Sequence, residues 1–263
     1  MSPETTAFKL GRLARSHDPR IPMLHTLLAG KTLESVVPAV DYTKGMPANL
    51  GVMLNDKLGD CTCAAFYHAI QVWSFNALRK MDTQPDSDVE KLYEQACGYK
   101  PQQGGEGPGG NEQHVLTYIL QKGAPFGTNG TQRQKIYAFV EVDIKNLDNI
   151  KRTIYDCGIA YIGFNVPQFI MPSRQAPPKV WDVSPHADNT IIGGHAVVLA
   201  GYDANGARVI SWGDYYTMTW AFFEQFVDEA YAIADPGWID NTKRTPGGLT
   251  LKELEQAMQA LES

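Results

Sequence analysis

The hydrophobic pattern of the chain changes near its middle. In the first half, apolar residues recur at helical spacing, which predicts helices over residues 61–80, 88–99 and 111–123. The first helix is the best defined, since no proline interrupts it and the turn pair Gly59-Asp60 precedes it. Its apolar positions, spaced at i, i+4, i+7 and i+11, are Phe66, Ile70, Trp73 and Ala77. This helix therefore begins at Cys61.

In the second half, β-rich apolar runs replace the helical pattern. The predicted strands cover residues 137–144, 159–166, 194–202, 208–212 and 217–220, with 222–231 closing the sheet. Helices are expected over 147–156 and after Thr250, where Thr250 and Glu253 form a capping box. Residues 169–189 and 237–249 are predicted as loops, the first of them a binding rim.

The segment before the first helix is less regular. Basic residues alternate with leucines, and Asp18-Pro19 and Ile21-Pro22 break any long helix. We expect residues 1–40 to form an extended arm that lies over the body, with a short edge strand over 36–42. The glycine-rich stretch 104–110 lacks the ending of a phosphate loop and is predicted to be a flexible rim.

These elements predict an α+β fold with four parts. They are an arm (1–40), a helical lobe (41–134), an antiparallel β lobe (135–236) and a C-terminal loop with a helix (237–263). A cleft between two lobes of different class is the natural place for chemistry.

Composition narrows the function classes. The chain is 43% hydrophobic and 20% charged with a net charge of −6, and it has no lysine- or arginine-rich block, so nucleic acid is not expected as a partner. It has no apolar run long enough to span a bilayer and no signal peptide at Met1, which favours a cytoplasmic protein without a membrane partner. The oligomeric state cannot be deduced from the sequence.

Cys61 is the first candidate for chemistry. It lies in the first turn of its helix, where free N–H groups and the helix dipole favour an anion, and a nearby imidazolium would lower the thiol pKa further. The alternative is a buried structural cysteine. Cys63, Cys97 and Cys157 do not complete a zinc spacing with Cys61, so no metal and no cofactor are expected.

A thiol nucleophile needs a base, and His195 is the best placed of the six histidines. It follows Gly193-Gly194 and opens an apolar strand, so its ring is held in place yet reachable. His68 follows Cys61 by seven positions on one helix, which is about 10 Å and too far. The alternative for His195 is a hydrogen-bonded core histidine.

The order of these motifs resembles that of papain-like cysteine peptidases. The Cys61 to His195 separation falls in the interval of about 130–150 residues known for that family. Asn55-x-x-x-Gly-Asp-Cys61 is similar to its Gln-Gly…Cys helix start, Gly194-His-Ala-Val…Gly-Tyr202 to its histidine strand, and Ser211-Trp-Gly to the segment that follows. Taken over most of its length, the chain is most similar to phage- or prophage-type members without a settled substrate, which also carry an arm like Lys9-Leu-Gly-Arg-Leu-Ala-Arg.

The resemblance implies roles for two further residues. Asn55 takes the place of the oxyanion-hole glutamine, and its spacing selects Cys61 over Cys63 as the nucleophile. The asparagine that orients the histidine would align with Ile210, which cannot do so, and neighbouring strand residues face opposite sides. Ser211 orients His195 if the register slips by one; otherwise Cys61 and His195 act as a dyad under Trp212, which is slightly favoured.

The implied function is hydrolysis of a peptide or amide bond through a thioester acyl-enzyme. An acyl transferase, transglutaminase-like in its use of the site, would need the same residues. A papain-like fold kept as a binding or virion-structural module without chemistry is the third possibility.

Overall fold

The computed structural model describes residues 8–33, 35–127, 130–171 and 176–262. Helix α2 is central to it, and every residue from Cys61 to Trp73 is buried. A helix apolar on all sides belongs inside a fold, and α2 packs against both sheet and helices. The helices are α1 (Leu24–Leu27), α2 (Cys61–Leu78), α3 (Asp86–Cys97), α4 (Glu112–Lys122), α5 (Leu147–Cys157), α6 (Trp220–Phe226), α7 (Pro236–Thr242) and α8 (Leu251–Glu262).

A mainly antiparallel sheet forms the other layer, in the order β4-β10-β5-β7-β8-β9-β6, with β1 pairing to β7. Strands β2 and β3 form a separate hairpin. The strands are β1 (Val40–Asp41), β2 (Ala124–Phe126), β3 (Gln132–Gln134), β4 (Ala138–Glu141), β5 (Ala160–Pro167), β6 (Val180–Trp181), β7 (Ile191–Tyr202), β8 (Gly206–Ser211), β9 (Asp214–Thr219) and β10 (Val227–Ala234). Short 3-10 turns cover Pro101–Gln103, Gln168–Ile170 and Pro246–Gly248.

The mixed α+β fold is confirmed, and three local predictions were wrong. Residues 222–231 are not one strand, because Thr219 caps helix α6 through its side chain before β10 begins. The stretch after Pro236 is helix α7, capped by Asp235, and not loop. Strand β6 lies inside the predicted rim loop, of which residues 172–175 are outside the described residues.

The last helix begins as the capping box predicted. The Thr250 hydroxyl accepts from the Glu253 N–H at 3.2 Å, and the Glu253 carboxylate accepts from the Thr250 N–H at 2.8 Å. Leu254, Met258 and Leu261 are buried, so the apolar face of α8 packs on the body of the chain.

Candidate active site

Cys61 lies where the sequence places it, at the first residue of α2. Its side chain is buried, and the backbone N–H groups of Ala196 and Gly11 are directed at its sulfur. Ala196 follows His195 on β7, so the contact brings the start of α2 to the strand that carries the histidine. Cys61 and His195 are therefore carried by two elements that are in contact.

His195 is held by two neighbours. Its Nε2 and the Ser211 Oγ are hydrogen-bonded at 2.8 Å, and its ring stacks on that of Trp212 with centroids 4.4 Å apart. The other ring nitrogen, Nδ1, has no hydrogen-bond partner among the described residues. With Nε2 bonded to an oxygen, a neutral imidazole can keep Nδ1 as the free basic nitrogen.

The sequence left open whether Ile210 or Ser211 faces His195, and the hydrogen bond of His195 identifies Ser211. Ile210 pairs with Val198 on the sheet, whereas Ser211 reaches His195. The pairing of β7 with β8 shifts register between Leu199 and Gly201, which lies between this point and the turn that joins the two strands. The slight preference for a dyad without Ser211 does not match the contact, because a bulge changes which side chain faces the cleft.

Asn55 is buried beside the same helix start. Its Nδ2 donates to the Leu58 carbonyl at 3.1 Å and to the Lys9 carbonyl at 3.3 Å. Lys9 belongs to the arm, so the amide already binds a peptide carbonyl that lies in the cleft. A donor with this contact can also bind the oxygen of a substrate carbonyl.

The arm does not merely lie over the body; residues 8–13 fill the cleft. The Lys9 N–H donates to the Asn55 carbonyl at 2.8 Å, and the Arg12 N–H donates to the Gly194 carbonyl at 3.1 Å. Phe8 stacks on Trp212 with centroids 5.0 Å apart, on a ring that itself stacks on His195. The arm thus lies against the start of α2 and against the tryptophan that packs on His195.

A glycine is required where the arm crosses the start of α2. A Cβ added to Gly11 would lie 1.9 Å from the Gly59 carbonyl oxygen, so no other residue fits without moving the backbone. The Gly11 carbonyl accepts from the Gly110 N–H at 2.8 Å, which fixes the arm against the glycine-rich rim. The glycine-rich rim therefore binds the arm through its backbone.

Burial under the arm changes the charge states expected from the sequence. Burial raises the pKa of the Cys61 thiol to about 12, so the expected lowering by the helix start does not occur in this state. It also lowers the pKa of His195 to about 3, with His68 and Arg12 adding to the effect. Both groups are neutral at pH 7 in this state.

Cys63 points elsewhere. Its thiol lies near that of Cys97 on α3, and burial raises its pKa well above the usual value. Cys61, in contrast, faces the Ala196 N–H of the histidine strand. This placement favours the register that uses Asn55.

The sequence interpretation missed the acidic residues around Arg12. Glu229 and Asp228 of β10 accept hydrogen bonds from its guanidinium, and the Glu112 Oε1 of α4 lies 3.7 Å from its Nε. The available signal was a pair of acids inside an otherwise apolar strand run, which is unusual for a buried position.

No group of three or more His, Cys, Asp or Glu side chains in the described ranges is arranged to hold a metal ion. No helix in those ranges is long and apolar enough to cross a membrane.

A cysteine protease and two procathepsins are among the solved structures that share this architecture. Xylellain, a cysteine protease from Xylella fastidiosa, matches 87% of this chain and 97% of its own at 17% identity and a TM-score of 0.63. Procathepsin B S9 from Trypanosoma congolense matches 89% of this chain and 87% of its own, with 13% identity and a TM-score of 0.55. Digestive procathepsin L 3 of Tenebrio molitor matches 88% of this chain and 77% of its own, with 11% identity and a TM-score of 0.55.

Sequence comparison adds nothing to these likenesses. No protein-family model matches the chain, and no curated protein matches it significantly. The closer similarity to phage-type proteins stays a prediction. The arrangement of α2 against the sheet and the solved structures agree on one point: this chain has the α+β fold of the papain-like cysteine proteases.

Proposed function

We propose that the chain is a cysteine hydrolase of peptide or amide bonds, with Cys61 as nucleophile and His195 as base. The observation that carries the proposal is the Nε2 contact of His195 with Ser211, which leaves Nδ1 free, next to an Ala196 N–H directed at the Cys61 sulfur. A base with one nitrogen held and the other free to take a proton is what nucleophilic catalysis needs once the base and the thiol come together.

The chemistry follows from these positions once a substrate replaces the arm. His195 Nδ1 takes the thiol proton, and the Cys61 sulfur attacks the substrate carbonyl carbon. Asn55 Nδ2 and the Cys61 N–H, which as the first helical N–H has no intrahelical acceptor, stabilise the oxyanion. His195 then protonates the leaving amine, the C–N bond breaks, and water hydrolyses the thioester with His195 again as base.

The arm explains why the resting state would be inactive. The peptide group between Leu10 and Gly11 presents its N–H to the sulfur, whereas attack requires a carbonyl carbon. The burial that keeps the thiol and the imidazole neutral ends when the cleft opens to water. Release of the arm is therefore expected to precede catalysis.

A test can open the cleft without touching the reacting groups. Gly11→Val places a side chain where even a Cβ meets the Gly59 carbonyl, so the arm has to leave. We expect limited iodoacetamide at neutral pH to label Cys61 at least tenfold faster in this variant than in the natural chain, by mass mapping. The variant is also expected to hydrolyse an unstructured peptide.

The control is Leu13→Ala, which changes an arm side chain that is 48% exposed and should leave labelling unchanged. Preferential labelling of Cys63, or an accessible Cys61 with ordinary thiol reactivity and no hydrolysis, contradicts the proposal.

The second candidate is a non-catalytic module with this fold. The depth of the arm in the cleft favours it, because a permanently filled cleft needs no chemistry. It predicts that Gly11→Val destabilises the chain and releases no activity, so the same variant separates the two functions.

A further inference from the structure

The Arg12 side chain enters a pocket beside the candidate nucleophile. It is 1% exposed, and its Nε donates to Glu229 Oε1 at 2.8 Å. Its Nη2 donates to Glu229 and to Asp228, while Glu112 Oε1 lies 3.7 Å from Nε. One guanidinium therefore faces three carboxyl groups.

The pocket belongs to the body of the fold and not to the arm. Its walls come from α4, β5 and β10, and the space for the guanidinium exists because residue 163 on β5 is glycine. A Cβ at Gly163 would lie 2.1 Å from the Arg12 Nε and 2.7 Å from Glu112 Oε1. The Tyr231 hydroxyl donates to Glu229 Oε2 at 2.6 Å and holds that carboxylate in place. The site is thus preformed for a planar cation.

The pocket has carboxyl oxygens to which the arm makes no hydrogen bond. Both Glu112 oxygens are buried and have no hydrogen-bond partner within the described residues. Burial, with Glu229 beside it, raises the Glu112 pKa well above its usual value, and Arg12 opposes this. Removal of the guanidinium would leave buried carboxyl groups without a counter-charge, which is costly. A cation is therefore the favoured replacement when the arm leaves.

The geometry favours arginine over lysine. Glu229 Oε1 accepts from both Nε and Nη2, and Asp228 accepts from Nη2 as well. This forked arrangement matches the planar guanidinium, whereas an ammonium has a single nitrogen and cannot make it.

The position of the pocket relative to Cys61 sets where the arginine lies in a substrate. Arg12 adjoins Gly11, whose N–H faces the sulfur. A substrate strand that runs through the cleft in the direction opposite to the arm has C=O groups where the arm has N–H groups. It therefore brings a carbonyl to the sulfur. It can use the same Gly110 and Gly194 backbone groups that now bind the arm. The residue in the pocket then precedes the one whose carbonyl is attacked.

We propose that the pocket of Glu112, Asp228 and Glu229 is the specificity pocket of the cleft, and that it selects peptides with arginine one residue before the attacked carbonyl. Arg12 is the stand-in for that side chain. The substrate class rests on the proposed function, whereas the binding of arginine does not.

The binding test uses the full-length chain with Gly11→Val and Cys61→Ser, so that the cleft is open and turnover is absent. Calorimetry measures Kd for N-acetyl-Leu-Arg-Gly-amide and for its citrulline analogue, which has the shape of arginine without its charge. We expect the arginine peptide to bind roughly 30-fold more tightly, because close buried charge pairs discriminate strongly. Equal Kd values overturn the pocket assignment.

Matched variants locate the effect. Glu229→Gln in the same background is expected to bring the arginine-to-citrulline ratio towards one. Glu106→Gln makes the same change of charge at the exposed ion pair with Lys9 and should leave the ratio unchanged. If Gly11→Val does not fold by circular dichroism, Phe8→Ala with Arg12→Met releases the arm instead, and the same ratio is measured.

Hydrolysis separates this inference from the function on which it rests. With Gly11→Val alone, kcat/KM is compared for aminocoumarin derivatives of the two peptides. Arginine-selective hydrolysis supports both. Arginine-selective binding without hydrolysis of any peptide overturns the proposed function and leaves the pocket, while hydrolysis without selectivity overturns the pocket alone.

Discussion

Two buried regions meet under the arm, and they handle charge in opposite ways. On the Cys61 side, burial raises the pKa of the thiol to about 12 and of Asp60 to about 8, so both groups are neutral at pH 7. On the Arg12 side, a buried guanidinium stays charged; burial opposes its charge, and the carboxyl groups around it more than compensate. Charge survives burial only where a counter-charge and hydrogen bonds are supplied.

The difference shows how one segment can act on both regions. Under the proposed function, the arm would keep the thiol inactive by excluding water, while the ion pairs of Arg12 help to hold it in place. Four predictions test this contrast, beginning with the largest effect.

Cys61→Ala in the Gly11→Val chain should abolish hydrolysis, a loss of about 10³-fold or more, because the nucleophile is gone. Peptide hydrolysis and alkylation mapping measure it. Cys63→Ala is the control and should retain most activity, since its thiol faces Cys97. Equal losses in the two variants would refute the assignment of the nucleophile.

His195→Ala in the same background should lower kcat by about 10²–10⁴-fold, the usual contribution of a general base. Ser211→Ala removes only a neutral hydrogen bond of about 1 kcal/mol, or roughly fivefold in rate. The kcat values and their pH profiles test both. A Ser211→Ala loss as large as that of His195→Ala would show that the serine is indispensable.

Arg12→Met in the natural chain should lower the free energy of unfolding by about 3 kcal/mol, since it leaves buried carboxyl groups unpaired. Arg20→Met is the matched control: its ion pair with Asp18 is exposed and screened by water, so its loss should change stability much less. Urea unfolding measures both. Similar small losses would mean that the pocket does not hold the arm.

Asp60→Asn should change how stability depends on pH. The folded-state pKa of Asp60, raised to about 8, lies above the unfolded value near 3.9, so the folded chain retains a proton that the unfolded chain loses. The stability from this proton is complete below about pH 4 and lost as pH rises to about 8. The variant should therefore gain in melting temperature relative to the natural chain between pH 5 and pH 9.

Asp18→Asn serves as the control for pH. The Arg20 hydrogen bond lowers the pKa of Asp18 to about 2, so its effect lies at lower pH. The contrary outcome is that the melting temperatures of the natural chain and of Asp60→Asn differ by the same amount at every pH from 5 to 9. That result would mean that Asp60 is already ionised at pH 5.

Local signals were sufficient where an element depends on its own residues. The start of α2 at Cys61, the Asn111 cap of α4 and the capping box of α8 follow from side chains a few positions apart. Helices α6 and α7 were missed although Thr219 and Asp235 cap them, because aromatic and proline-rich runs also suit strands and loops. Short elements are decided by packing more than by propensity.

By itself, the sequence determined the α+β class, the position of Cys61 at a helix start, the position of His195 on a strand, and the closeness of Asn55 to that helix start. Only the tertiary structure decided that Ser211 and not Ile210 meets His195, because a bulge on β7 changes the register. It also decided that the arm fills the cleft and that Arg12 lies among acids more than 90 positions away along the chain. Burial and through-space charge arise when distant segments meet, so local spacing carries no record of them.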